Sequence, residues 1–325
     1  LNEIIEYINK LGMDFGIWIE PEMVNKESEL YRSHPDWIIH DPNRKPSHTR
    51  NQYTLDFSRD EVVDHIYNQI EKLLSDYNIS YVKWDMNRYI TECYSKDKGA
   101  NLQGTVYHKY ILNVYKLYDK LTTRFPNILF ESCSSGGARF DPGMLYYAPQ
   151  TWTSDNTDAI ERIKIQYGSS LVYPLISMGS HVSESPNQQV FRETALETRA
   201  NVAYFGNLGY ELDVNNLSDV EKEEIKKQIQ FYKENIEVFQ FGKFYRIKNP
   251  YNNNISAWMV KSNDEKTIIL GCYKLLNHAN EGKERVKLFG LDKDGDYKLS
   301  YPYEKEFKGD ELMNVGISMN DDYFC

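Results

Sequence analysis

From residue 2 to about residue 240, short β-branched and aromatic runs alternate with amphipathic helical stripes, and that alternation leaves few folds open. Ile4, Ile5, Ile8 and Leu11 share one helical face, which Gly12 ends. Residues 15–19 read as a strand closing in Glu20-Pro21-Glu22. A long loop follows over 24–51, with a short pairing expected near 37–39. Residues 53–57 read as the next strand, and Ser58 with Glu61 forms a capping box for a helix striped by Val62, Val63, Ile66, Ile70, Leu73 and Leu74. Further strands are expected over 79–84, 128–130, 150–154, 173–178 and 208–212. Helices are expected between them over about 104–124, 160–171 and 187–204, with a last one capped by Ser218 and reaching about 236.

Strict strand–helix alternation argues for a parallel sheet. The count is about seven strands, and the series opens on a helix. An open doubly wound sheet gives the same count. Polar residues close nearly every strand, however, and that favours a (β/α)8 TIM barrel lacking its first strand. Beyond 240 helical periodicity stops. Strand-like runs at 244–247, 255–260 and 267–270, with Asn/Asp/Gly turns between them, read as a small antiparallel β-sandwich domain. The expected division is a catalytic barrel over 1–240, N-terminally incomplete, and a β domain over 241–325.

Composition removes several function classes. The net charge is −10 with no Lys/Arg-rich block, which argues against nucleic acid as a partner. No apolar run reaches 18 residues, so no membrane span is expected, and no signal peptide is visible in a chain that starts at Leu1. The four cysteines, at 93, 133, 272 and 325, form no CxxC pair, which fits a reducing compartment and a cytoplasmic location. No HxH or HExxH occurs, so neither a metal nor a cofactor is expected. The string Asp292-Lys293-Asp294-Gly295-Asp296 resembles a calcium loop, but its Gly comes two positions early, and it reads as a hairpin turn. The Ser134-Ser135-Gly136-Gly137 stretch does not fit the GxSxG elbow of serine hydrolases.

Carboxylates remain. The strand ends carry Glu20, Glu22, Asp56, Asp85, Glu131, Asp155, Asp158 and Asp213, and in a barrel such residues crowd one mouth. Two carboxylates, one ionised to attack and one protonated to release a leaving group, are what glycoside hydrolysis requires; a retaining pair stands roughly 5–5.5 Å apart. Lys83, two residues before Asp85, faces the same side of its strand and would favour an ionised Asp85. Asp155, beside Trp152, has the setting of the proton donor.

Three stretches raise this reading: Val82-Lys83-Trp84-Asp85-Met86-Asn87, Glu131-Ser132-Cys133 with Gly136-Gly137-Ala138-Arg139, and Trp152-Thr153-Ser154-Asp155-Asn156-Thr157-Asp158. With Gly16-Ile17-Trp18-Ile19-Glu20-Pro21-Glu22-Met23, His48-Thr49-Arg50-Asn51-Gln52 and Gly209-Tyr210-Glu211-Leu212-Asp213, they resemble, in order, the α-galactosidases of glycoside hydrolase family 36. The resemblance implies a retaining, metal-independent hydrolase of terminal α-1,6-linked galactose, as in melibiose and raffinose. It makes Asp85 the nucleophile and Asp155 the acid/base, with Asp158 as a rival for the second role or a substrate contact. Lys83, Asn87 and Arg50 would reach sugar hydroxyls, Trp18 would line the pocket, and Cys133 with the turn at Gly136 would shape it near the 2-hydroxyl.

The partner is then a small oligosaccharide, and the full-length form is expected to be a homo-oligomer. The family's N-terminal β-sandwich and the adjacent aspartates of its first barrel strand do not appear, so weak activity or none is expected of the chain alone. The alternatives are a related α-glycosidase, one accepting N-acetylgalactosamine, a galactosyl transferase, or a non-catalytic carbohydrate-binding fragment.

Overall fold

In the computed structural model, which describes residues 1–319 apart from 277, 280, 281, 283 and 302, helix α1 (Asn2–Lys10) leads into strand β1 (Gly16–Ile19). Strands β2 (Met23–Asn25) and β3 (Gln52–Thr54) then pair antiparallel, with the short helix α2 (Glu29–Ser33) between them. The chain continues through α3 (Asp60–Asp76), β4 (Tyr81–Trp84), α4 (Val106–Arg124), β5 (Leu129–Ser132), α5 (Pro142–Tyr147) and β6 (Gln150–Trp152). Strands β1, β4, β5 and β6 are adjacent in that order and their ladders run parallel. All of this lies within one compact unit, Leu1–Asp155.

The helices of this unit form where the sequence puts an apolar stripe. In α3, Val62, Val63, Ile66, Ile70 and Leu74 are buried, and in α4 Val106, Tyr110, Val114, Leu117 and Leu121. Each such side chain contributes about 1.5–3 kcal/mol by leaving water, so either stripe outweighs the weak helix propensity of its β-branched members. Both pack on β4, where Val82 and Trp84 are fully buried and Trp84 stacks on Tyr118 of α4 at 4.3 Å. Strand β4 is therefore clamped on its apolar face. Its other face carries Lys83, and the register aligns Trp18, Lys83, Glu131 and Gln150 as one polar row across four strands.

The second unit runs from Asn156 onward. It holds α6 (Ala159–Ser169), β7 (Met178–Ser183), α7 (Leu196–Ala203), β8 (Asn207–Glu211) and α8 (Asp219–Phe241), with β7 and β8 parallel. A three-stranded antiparallel sheet follows, built from β9 (Lys243–Lys248), β10 (Ile255–Lys261) and β11 (Ile268–Lys274) with β10 in the middle. Two antiparallel pairs, β12 (Glu284–Val286) with β15 (Ile317–Met319) and β13 (Asp296–Leu299) with β14 (Lys305–Lys308), and helix α9 (Gly309–Asn314) complete it. Ala257, Met259, Val286, Leu288, Phe307 and Leu312 form its β-domain core.

Several expectations need correction. The strand expected at 53–57 is not a member of the parallel sheet, because its backbone pairs antiparallel with β2 and the Leu55 N–H bonds the Glu22 carbonyl. The parallel strands are thus four in the first unit and two in the second. Ser58 does not cap α3; its hydroxyl donates to Asp56 instead, and Arg59 stands at the cap without a side-chain bond. The strand expected at 173–178 lies five residues later, since 175–177 forms a 3-10 turn; His181 is consequently inside β7 and not beyond it. The helix expected over 187–204 is confined to Leu196–Ala203. In α1 only Ile5 is buried, while Ile4 and Leu11 are exposed. Ser218 caps α8 as read, completing a capping box with Glu221, and the helix runs on past 236 to Phe241. The turn at 292–295 joins no two strands of a hairpin; it packs against the start of α9 through Gly309 N–H to the Gly295 carbonyl and Asp310 N–H to the Lys293 carbonyl. Cys325 lies outside the described residues.

Candidate active site

The site is built around the carboxyl end of β4. Asp85 is still in the ladder, its N–H bonding the Ile19 carbonyl at 2.9 Å, so the sheet fixes its Cα. Three donors then fix its carboxylate. Oδ1 accepts the Met86 N–H at 2.8 Å, and Oδ2 accepts Asn87 Nδ2 at 2.6 Å and the Trp18 indole N–H at 3.2 Å. Asp85 is buried, and Trp18 is 47% exposed, an aromatic face open beside a held carboxylate. Cys133 is buried next to it. Burial first and the Asp85 carboxylate second push that thiol far above its usual range, so it stays an S–H at neutral pH.

Lys83 does not serve Asp85 directly, as its spacing implied. Its ammonium pairs with Glu131 Oε1 at 3.1 Å and lies over the Trp152 ring at 4.4 Å. Glu131 is itself buried and accepts Gln150 Nε2 at 2.5 Å and the Tyr81 hydroxyl through its other oxygen. Burial and the Glu131 charge push the Tyr81 hydroxyl well above its ordinary range, so it remains a donor. Trp152 in turn donates its indole N–H to Asp155 Oδ1 at 3.1 Å. A continuous set of contacts thus runs from the polar row of the sheet through Lys83 and Trp152 to the second carboxylate. The adjacent turn braces it: Gly136 has φ +83, and a Cβ there would come within 2.8 Å of Ser154 Cα. Only glycine lets that turn lie flat on the segment bearing Asp155. The place observed for Gly136 is therefore a backbone contact.

Arg50 sits at the tip of a two-residue turn closed by Thr49 N–H to Gln52 O at 3.2 Å and Gln52 N–H to Thr49 O at 2.9 Å. Both central residues, Arg50 and Asn51, have positive φ, as mirror-image hairpin turns require. For an arginine that conformation costs about 1–3 kcal/mol and needs outside support. Glu20 gives it, accepting Arg50 Nη1 at 3.2 Å and Gln52 Nε2 at 2.9 Å. The same carboxylate accepts Asn87 Nδ2 at 2.5 Å. Asn87 also accepts the Ser135 hydroxyl at 3.1 Å on Oδ1, so both ends of its amide are committed within the protein.

Trp18, Lys83, Asp85, Asn87 and Cys133 are thus gathered together, with Arg50 joined through Glu20 and Asp155 through Trp152. Asp158 is different. It lies in the second unit, buried, where Oδ1 caps α6 by accepting the Glu161 N–H at 3.0 Å and pairs with Arg192. Oδ1 is thus spent as a helix cap and in an ion pair, a structural use of this oxygen. Glu20 and Glu131 were visible as strand-end residues, but nothing in their own neighbourhoods announced what they hold. The register that sets Glu131 opposite Lys83 is the signal that would have found it. Among the described residues no group of three or more His, Cys, Asp or Glu could hold a metal, and no helix is long and apolar enough to cross a membrane.

Comparison with known proteins adds to this geometry. Residues 1–242 match the family model described as Melibiase, and residues 255–323 that of the glycosyl hydrolase family 36 C-terminal domain. The α-galactosidase AgaA of Geobacillus stearothermophilus is 50% identical over 98% of this chain and 44% of its own length. Mel36A of Lactobacillus acidophilus is 48% identical over 98% of the chain and 43% of its own. The crystal structure of AgaA superposes with a TM-score of 0.96 at 49% identity, covering 98% of this chain and 44% of that one. A variant of AgaA in complex with raffinose superposes equally well, with a TM-score of 0.96 at 49% identity and the same coverage. The fold class expected from the sequence, a parallel α/β barrel type followed by antiparallel β structure, is that of these proteins. The chain spans less than half the length of the relatives it matches.

Proposed function

The chain belongs to glycoside hydrolase family 36, and from that premise we propose that the protein carrying it hydrolyses terminal α-galactosyl residues from oligosaccharides of the melibiose and raffinose type, with retention of configuration. The observation that carries the reading is Asp85, a buried carboxylate at a strand end whose two oxygens are aimed by the Met86 N–H, Asn87 and Trp18. A nucleophile must be held so before the sugar arrives, because orientation supplied in advance need not be gained in the transition state. AgaA variants crystallised with raffinose and stachyose support the substrate class.

In the proposed reaction Asp85 attacks the anomeric carbon while Asp155 gives its proton to the departing glycosidic oxygen. This forms a galactosyl ester on Asp85 and releases the leaving alcohol. Water then attacks the same carbon as Asp155 takes its proton, and the ester bond to Asp85 breaks. Lys83, held by Glu131 and seated on Trp152, is available to sugar hydroxyls, and so is the exposed Arg50. Cys133, kept as a thiol, shapes the floor beside Asp85. The residue ranges 1–240 and 241–325 are proposed as the catalytic and C-terminal domains. A reducing, cytoplasmic setting is proposed too, supported by Cys93, Cys133 and Cys272 all being free. A homo-oligomeric full-length form completes the proposal and rests on the family resemblance.

The test is the anomer released first from an aryl α-galactoside, read by proton NMR before mutarotation. α-Galactose is expected. First release of β-galactose would overturn the double displacement, and no release of galactose would overturn the substrate class.

A further inference from the structure

We propose that Glu20 is a positioning residue that locks the Arg50 turn to the nucleophile, so that sugar binding and attack are set by one carboxylate. The proposal rests on the functional reading above and goes beyond it, since Glu20 carries no role there. Its geometry is specific. The Glu20 side chain is only 7% exposed, and it accepts from three side chains on two separate stretches. Arg50 and Gln52 come from the hairpin turn, and Asn87 from the segment after β4.

Asn87 is the decisive link. Its Nδ2 is within hydrogen-bond distance of both Glu20 Oε1, at 2.5 Å, and Asp85 Oδ2, at 2.6 Å. An amide nitrogen has two hydrogens, so one goes to each carboxylate. Glu20 fixes the other hydrogen and, together with the Ser135 hydroxyl on Oδ1, the plane of the amide that holds Asp85. The same Glu20 oxygen, Oε1, also accepts from the guanidinium of an arginine held at φ +54. A left-handed arginine persists where the surroundings over-determine it, and such strain collects at ligand-binding positions. The turn has no apolar anchor at its tip: Arg50 and Asn51 are both exposed. Beyond the β2–β3 ladder that carries Gln52, its side chains are tied to the end of β1 by charge-assisted bonding to Glu20, which is stronger than a neutral bond and directional.

A purely architectural reading is available, in which Glu20 only staples a loop. It fails to explain why the staple also reaches the amide that holds Asp85. The two readings separate experimentally. In the intact protein, Glu20→Gln keeps the shape and an acceptor but loses the charge. Steady-state kinetics on p-nitrophenyl α-galactoside are expected to show a KM about tenfold higher, the equivalent of one charge-assisted bond, with kcat reduced as well. Arg50→Ala is expected to raise KM comparably, and the double variant to show a KM within about twofold of Arg50→Ala alone, because both changes break one link. Independent, multiplying effects would overturn the proposal, as would a wild-type KM and kcat in Glu20→Gln.

Amide hydrogen exchange without substrate gives a readout independent of turnover. Exchange across 49–52 and 85–88 is expected to rise together in Glu20→Gln, and unchanged exchange in either stretch would overturn the link. Faster exchange with unchanged kinetics would also overturn it, leaving only the staple. If the wild type releases no galactose at all, the functional reading fails instead, and the exchange result still decides whether Glu20 couples the two stretches.

Discussion

Glu20 and Glu22 leave β1 two residues apart, and each becomes the centre of a hydrogen-bonded cluster. Glu22 is wholly buried. It receives a bidentate Arg139 at 2.8 and 3.0 Å, the Trp84 indole N–H at 2.8 Å and the Tyr110 hydroxyl at 2.6 Å. Trp84 and Tyr110 are packed in the core, and Arg139 is mostly buried beside them. Burial works against the Arg139 charge, yet the Glu22 carboxylate raises its pKa well above the usual value, so the guanidinium stays charged. Glu20 has partners of the opposite kind, an exposed arginine, a turn and the amide that holds Asp85. The two carboxylates differ less in chemistry than in what their partners do next. One closes an interior, and the other carries side chains that a substrate can meet.

Removing the interior carboxylate tests that contrast most severely. Glu22→Ala leaves Arg139 buried and uncompensated, and is expected to cost about 3–5 kcal/mol in a urea titration. The corresponding cost of Glu20→Ala is expected to stay near 1 kcal/mol, because the exposed guanidinium can turn to water. A loss below 1 kcal/mol at Glu22 would remove the distinction. Replacing the whole interior pair, Glu22→Leu with Arg139→Met, is expected to restore most of the stability lost in Glu22→Ala, since well-packed apolar groups substitute for a buried pair. At the site end, Glu131→Gln deprives Lys83 of its anion. It is expected to lower kcat/KM by about tenfold or more with little change in the denaturation midpoint. If the loss appears in stability and not in kcat/KM, Glu131 belongs with Glu22 and not with Glu20.

Asp56 offers a smaller, third case. It is a buried carboxylate held by the hydroxyls of Ser58 at 2.6 Å and Ser95 at 2.5 Å. Burial pushes its pKa upward, against the lowering effect of those bonds. Its native pKa then exceeds its unfolded one, so the native state binds more proton between the two values. Stability from this residue is present below the ordinary carboxylate range and declines as pH rises through the raised value. Asp56→Asn is therefore expected to gain relative to wild type as urea midpoints are compared from about pH 4 upward. A difference that is flat with pH would contradict the burial argument.

The sequence made the core of the first unit legible because its stripes are long and periodic; of the face residues named for α3, all but Leu73 are buried. Short elements were less readable. Residues 53–57 look like any strand, and only the partner strand decides that they run antiparallel to β2. The shift of the strand near 178 has the same origin, since Leu175 and Ile176 are as β-like as the residues that follow. At the site, Asp85, Asp155, Lys83 and Trp18 could be named from motifs. Trp152 beside Asp155 was legible too, but Glu20 and Glu131 were not readable as partners, because they act through distances across strands and turns that linear spacing does not encode. Asp158 shows what spacing leaves out, since one oxygen of that carboxylate is committed to capping a helix.

All of these contrasts assume that Asp85 is where the sugar becomes covalently attached. The direct measurement is mass spectrometry of the intact protein after treatment with a fluorinated galactosyl inhibitor that forms its ester faster than it loses it. The account predicts one added galactosyl mass per chain, mapped by peptide fragmentation to Asp85 and absent in Asp85→Asn. An adduct on any other residue, or full labelling of the Asp85→Asn variant, would contradict it.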